Sequence, residues 1–520
     1  MKKSSKRWTA LLLVLMMLLS VLTGCGGGGG STDGDVTEEW DGTITIVQSS
    51  DIINWDPCAS TDVNTKNCLK NMVNRCFETD DYYNPIPNLV KNWTNPDELT
   101  WEFELHQGVM FMDGTELTSE DVKATYERAR EKSSSGKTLF GPVQNIEIID
   151  DYNFRITTAY PYASMTTAMS NTASSVISKE WLAKVDAGEC TWDDVMRNGI
   201  TGRYYLGERV IGDSVELIKN ENYFNNDVDG AKNEKLIFRV IPEATTRTIM
   251  LQTGEADVNV NFDTATMADV ENDERVTILQ HESSDIYYLA LNCEVGPFTN
   301  PALRKAVNYA INREDCLQVG TEGLGKVHYN VWGPRVIGSS ENPEGYSYDP
   351  EKAKSILEEA GLKDVAVKAC VYNDEGERVV QVVQSYLQAV GINMTYQRID
   401  NTILTEVVGN NEYDLVVDHT ASYKDPELFF GRYFSKDGIG AKNYAHYNNE
   451  EVNKVIAEAS STLDEATRLA GYTKANEMIN ADAPWVPLYN NIIWAACRTG
   501  VTGVNLSDET TYYYHTICYE

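Results

Sequence analysis

The chain has 520 residues, 42% of them hydrophobic, so it can bury sizeable cores, and at roughly 100–200 residues per domain it should form about three lobes. Its formal net charge is -34. A surface this acidic repels polyphosphate backbones and anionic head groups, which argues against nucleic acid as a partner and suits a soluble binding protein.

In chain order, Lys2, Lys3, Lys6 and Arg7 precede an almost unbroken apolar run from Leu11 to Leu22, followed by small residues and Cys25. The run is too short to span a bilayer as a stable helix, so residues 1–24 read as a removable leader. Leu22-Thr23-Gly24-Cys25 resembles a bacterial lipobox, a signal in which the Cys thiol receives a diacylglyceryl group and cleavage leaves that Cys first. Two acyl chains anchor a protein stably to the membrane, and residues 25–41, rich in Gly, Ser and Asp, would form a flexible tether. No later stretch reaches the length of a membrane-spanning helix.

Residues 43–47 and 101–105 alternate as strands. Thr118 and Asp121 fit a capping box that opens a helix with Val122, Tyr126 and Ala129 on one face. Asn300 and Pro301 start another helix, with Leu303, Ala306, Val307, Ala310 and Ile311 as its apolar face. Asp349-Pro350 starts a third, and Gly361 ends it. Residues 365–372, 379–390 and 392–396 read as strand, helix and strand, with Gly391 closing the helix. Residues 415–417 add a strand after a short helix. This βαβ pattern predicts a buried, mostly parallel sheet, and the fold class is α/β.

Motifs for catalysis are absent or broken. The chain has no G-x-S-x-G and no H-E-x-x-H. Gly136-Lys137-Thr138 lacks the first Gly of a phosphate loop, and the run from Asn225 to Gly230 lacks the closing Glu of a calcium loop. The six histidines show no ligand spacing. No CxxC occurs, and the nine cysteines beyond Cys25 cannot all pair internally, so most should pack as small apolar groups. No cofactor, no metal and no enzymatic activity are expected.

Several segments together resemble the family 5 solute-binding proteins of ABC transporters, which include dipeptide-, oligopeptide- and nickel-binding members. They are LTWEFELHQGVMFMDGTELTSEDV at 99–122, LQTGEAD at 251–257, LRKAVNYAINR at 303–313, YDPEKAK at 348–354 with EAG at 359–361, and APWVPLY at 483–489. One departure stands out: where the family shows GTGPY, this chain has Ile200-Thr201-Gly202-Arg203-Tyr204, with Arg203 in place of Pro.

The resemblance implies a periplasmic-binding-protein-like fold with two main lobes, a third inserted lobe and a closing hinge. Lobe I would be 42–75, 198–289 and 489–520; lobe II, 76–197; lobe III, 290–488. It further implies a monomer that captures a small solute between lobes I and III and delivers it to ABC permease subunits, while the lipobox at Cys25 would anchor the protein by lipid at the extracytoplasmic face of the cell membrane. A short peptide is the first expectation for that solute. An oligosaccharide, an opine, a metal chelate, or a sensing role beside a membrane receptor are the alternatives. Peptide-binding relatives hold the ligand's ammonium with an Asp three residues before an acidic-Pro pair. Here that pair is Asp425-Pro426, and the position holds Ser422. Asp418 or Asp425 would then substitute, or the ligand would have no free amine there. Arg378 matches a carboxylate-binding Arg of dipeptide relatives, and His419, Ser422 and Tyr423 would line the pocket.

Overall fold

A computed structural model describes residues 40–60, 62–80, 84–340, 342, 344–420, 425–507 and 512–520. The leader 1–24, Cys25 and nearly all of the tether lie outside them, as do Ser422 and Tyr423. The chain divides into Met1–Asp41 and Gly42–Glu520, and the second unit carries the fold.

Its backbone is one sheet of eleven strands: β1 (Thr43–Gln48), β2 (Tyr204–Val210), β3 (Ser214–Lys219), β4 (Lys235–Val240), β5 (Val258–Asn259), β6 (Val276–Leu291), β7 (Gly325–Val327), β8 (Val365–Val371), β9 (Ile392–Arg398), β10 (Leu415–His419) and β11 (Trp485–Arg498). The spatial order is β9-β8-β10-β6-β11-β5-β1-β4-β3-β2, and β7 pairs with β11 off this path. β1 runs parallel to β4 and β5; β8 runs parallel to β9 and β10. The two long central strands, β6 and β11, are antiparallel neighbours and join these two parallel sets.

Alternation along β6 explains the layers. Tyr287, Leu289 and Leu291 point into one core, with helices Pro301–Ala310, Pro350–Glu359 and Asp374–Ala389. Ile286, Tyr288 and Ala290 point into another, with helices Pro426–Tyr433, Glu450–Ser460 and Glu465–Asp482. A sheet covered on both faces needs apolar residues throughout, as in the run Leu415-Val416-Val417. A separate four-stranded antiparallel sheet orders Val90–Asp97, Thr100–Leu105, Asn153–Thr158 and Val143–Ile148 around Trp101, Phe103, Phe154 and Ile156.

The local signals act as their chemistry requires. Thr118 N donates to Asp121 Oδ2 at 2.9 Å and starts helix Ser119–Lys132. Asn300 Oδ1 accepts from Ala302 N at 2.9 Å, and Asp349 Oδ1 from Lys352 N at 2.9 Å. Ile311 is the extended residue that ends the first of those two helices rather than part of its face. The largest difference lies at 374–389. Apolar spacing predicts a helix over 379–390, but the helix begins at Asp374, because Asn373 accepts from Gly376 N at 2.7 Å and acidic Asp374, Glu375 and Glu377 favour the first turn. Five of the nine described cysteines are buried, namely Cys68, Cys76, Cys316, Cys370 and Cys497, and all nine are free thiols.

The departure at Arg203 is compensated in space. A Cβ on Gly202 would meet Met72 O at 2.0 Å, so the chain crosses here without room for a side chain. Arg203, only 2% exposed, then turns inward. It donates through Nη1 and Nη2 to Glu78 at 3.2 and 3.1 Å, donates through Nε to Asp229 O at 3.0 Å, and pairs with the Asp229 carboxylate. The rings of Tyr223 and Tyr513 flank it, and His515 Nε2 lies 2.9 Å from Asp229. Residues 225–230, which resemble half a calcium loop, instead hold the short helix Asn226–Asp229, with Asp229 committed to this network.

Candidate ligand-binding site

Register locates the crevice. Asn259, ending β5, lies opposite Ala496 of β11. His419, ending β10, lies opposite Tyr287 of β6, which lies opposite Tyr489 of β11. The two parallel sets therefore run toward each other and stop about 23 Å apart along β11, at about 3.3 Å per residue. In open α/β sheets, ligands bind in the crevice outside such carboxyl ends. The strand between them is irregular: Glu282 faces Ile492 and Ile286 faces Asn490, so β6 carries extra residues there. Both Nη atoms of Arg335 donate to Glu282 O at 2.8 Å, and Asn490 Nδ2 donates to Asp285 O at 2.7 Å.

On the β10 side, three rings lie nearly parallel. Tyr287 stacks on Tyr489 at 5.1 Å and on His419 at 6.3 Å, and His419 is the exposed end of the stack. Tyr489 Oη donates to Glu375 Oε1 at 2.8 Å, and Tyr287 Oη to Asn373 Oδ1 at 3.3 Å. Burial raises the Glu375 carboxyl above its ordinary value, against the Tyr489 hydrogen bond and the charges of His419 and Arg378. Arg378 is exposed and sits in the second turn of its helix. Its Nε donates to Val319 O at 2.8 Å and its Nη2 to Gly320 O at 2.7 Å, carbonyls at the end of helix Arg313–Thr321. The fork is thereby fixed while Nη1 has no partner among the described residues.

Both candidate ammonium-binding carboxylates are occupied. Asp418 is fully buried; Tyr372 Oη donates to its Oδ1 at 2.8 Å, and Lys442 Nζ lies 3.1 Å from Oδ2. Asp425 caps helix Pro426–Tyr433 through Glu427 N and Leu428 N and accepts from Ser164 Oγ at 2.7 Å. Arg378 and His419 thus stand on the Tyr287 face at the end of β10, Asp418 is buried beside Tyr288 on the opposite face, and Asp425 serves a helix start and a contact to residue 164. Glu375, Asn373, Tyr287 and Lys442 have no motif to reveal them, whereas Tyr489 closes the APWVPLY segment. Only the alternation of β6 and the Asn373 cap could point to the first three.

Two opposed sets of parallel strands, bridged by a pair of long crossing strands, define an extracytoplasmic solute-binding fold. Residues 84–441 match the family model for bacterial extracellular solute-binding proteins, family 5 (middle), and the chain belongs to that family. Such proteins bind small solutes and deliver them to ABC permeases, so this chain is a binding protein and not an enzyme. It is 26% identical over 483 residues to the glutathione-binding protein GsiB of Escherichia coli (strain K12), covering 90% of this chain and 92% of that one. It is 25% identical over 451 residues to heme-binding protein A of Haemophilus influenzae, covering 80% and 81%. The solved structure of DppA from Helicobacter pylori in complex with peptide STSA shares the fold, with a TM-score of 0.75, 23% identity, and 92% of this chain and 98% of that one covered. Among the described residues, no helix is long and apolar enough to cross a membrane.

Proposed function

We propose that the chain is the lipid-anchored receptor of an importer and captures short peptides or peptide-like acids. Lobe I (42–75, 198–289, 489–520) and lobe III (290–488) close on the ligand, lobe II (76–197) is an insertion, and the protein acts as a monomer. The observation that carries the ligand class is the Arg378 fork, held by two backbone carbonyls with its outer edge free among the described residues, since a guanidinium so fixed pairs a carboxylate in bidentate fashion with little ordering cost. Relatives that bind glutathione and the peptide STSA support the same class. Asp418 and Asp425 both have partners already, which favours a ligand whose amine is recognised weakly.

Titration calorimetry against di- to pentapeptides, their N-acetylated forms and their C-amides tests this. C-amidation, and separately Arg378→Ala, should weaken binding by roughly 10- to 100-fold, the worth of a charged hydrogen bond. N-acetylation should cost less than about tenfold. If no peptide binds, the peptide reading is wrong.

The anchor has its own test. Cys25→Ser should move the protein from the membrane fraction to the soluble fraction, because the leader's apolar run alone is too short to hold it. Tight membrane retention of the variant would refute lipidation at Cys25.

A further inference from the structure

Asp418 is a carboxylate with no exposed surface at the carboxyl end of β10. A buried carboxylate has to be neutralised, since an unpaired charge in such a place is costly. Tyr372 and Tyr288 offer hydroxyls at 2.8 and 3.5 Å, and both phenols keep their protons: burial, then the Asp418 charge, raises each above its ordinary range. The positive charge comes from Lys442 Nζ, 3.1 Å away. Unlike its partner, the Lys442 side chain is 31% exposed, and it reaches Asp418 from the wall of a cleft of about 560 Å³. Tyr160, Tyr162 and Asn171 also line that cleft, as do Glu427 and Arg432 from the helix that precedes Lys442. A primary ammonium thus stands between a solvent-open cleft and a buried carboxylate framed by two phenol donors.

We propose that Lys442 is a built-in ammonium that fills a primary-amine site on Asp418, and that it makes the protein indifferent to a free amine on its ligand. An alkylammonium group is the ligand chemistry of the site that Lys442 occupies. The selectivity part of this inference rests on the peptide reading above; the site itself does not.

The test is chemical rescue. Lys442→Ala leaves Asp418 unpaired and opens space for a small amine, so its thermal midpoint should fall below that of the wild type. Ethylammonium chloride should restore about half of the loss or more, as expected for a ligand that binds only the folded state. Tetramethylammonium chloride, which has no N–H, should restore none, and neither salt should stabilise the wild type specifically. Equal effects of both salts, or no rescue, would overturn the proposal. Should Lys442→Ala not fold, Lys442→Gln carries the test: it keeps a donor toward Asp418 without the charge, and its midpoint should rise with ethylammonium alone. With peptides, either variant should prefer a free amine over its acetylated form by at least about tenfold more than the wild type does. Because rescue uses no peptide, its failure counts against Lys442, whereas failure of every peptide to bind counts against the peptide reading.

Discussion

Arg203→Met should lower the free energy of unfolding by about 3–5 kcal/mol, measured by urea denaturation, because removing one partner of a buried ion pair leaves the others uncompensated. Glu78 is the group most affected. Burial alone would push its carboxyl up, and the charge and hydrogen bonds of Arg203, with help from Arg75, bring it below the ordinary value. Asp229 follows the same logic: burial opposes ionisation, but His515 and then Arg203 hold its carboxyl down at about 2. Since both carboxyls are depressed, this contribution is complete at neutral pH. It is lost only as pH falls from the ordinary carboxylate range toward about 2 for Asp229. A companion change, Glu78→Leu on the Arg203→Met background, should recover part of the loss, since a well-packed apolar pair can replace buried charges. A loss under about 1 kcal/mol for Arg203→Met would mean that the network behaves like a surface pair.

Glu427→Gln should act in the opposite direction, and only above the acid range. Burial first, then repulsion from Asp425, raises the Glu427 carboxyl to about 7 against the pull of Arg468, and its Oε2 is buried without a hydrogen-bond partner among the described residues. Tyr160, Tyr162 and Tyr472 all feel its charge. Between about 4.5 and about 7 the folded chain binds a proton that the unfolded chain does not. Stability from this group is therefore full at acid pH and is lost as pH rises through that window. Glutamine mimics the protonated carboxyl. The variant should match the wild type in urea at pH about 4 and exceed it by up to about 3 kcal/mol at pH about 8. A constant difference at both values would show that Glu427 does not titrate in this window.

What the sequence makes legible is local. Helix Pro301–Ala310 can be read because its cap, its Pro and its apolar spacing all lie within a few residues. The parallel order of β8, β9 and β10 follows from alternating strand and helix signals. Periodicity starts helix Asp374–Ala389 too late, because the first turn is polar and periodicity sees only apolar residues. The same polar turn conceals Glu375, and it makes Arg378 look like a helix-start residue when it lies one turn inside. The substitution at Arg203 is visible, but its partners Glu78 and Asp229 lie 125 and 26 residues away. Lys442 stands 24 residues from Asp418 across an intervening helix, with no pattern linking them. Carboxylates are the natural candidates for an ammonium site; that both already have partners emerges only from the fold.

The position of β11 bears on when the molecule can fold. It lies between β6 and β5, so β1 and its neighbours reach the rest of the sheet only through residues 485–498. Asn67 and Asn71 likewise bond to Tyr512 and Tyr514, 445 and 443 residues downstream. Pairings this distant close slowly, because loop entropy has to be overcome before the contacts reward it. A nascent chain still without β11 has the two ends of the sheet but not the strand that unites them. Completion of the large sheet therefore waits for residues 485–498, whereas the separate four-stranded sheet needs none of them.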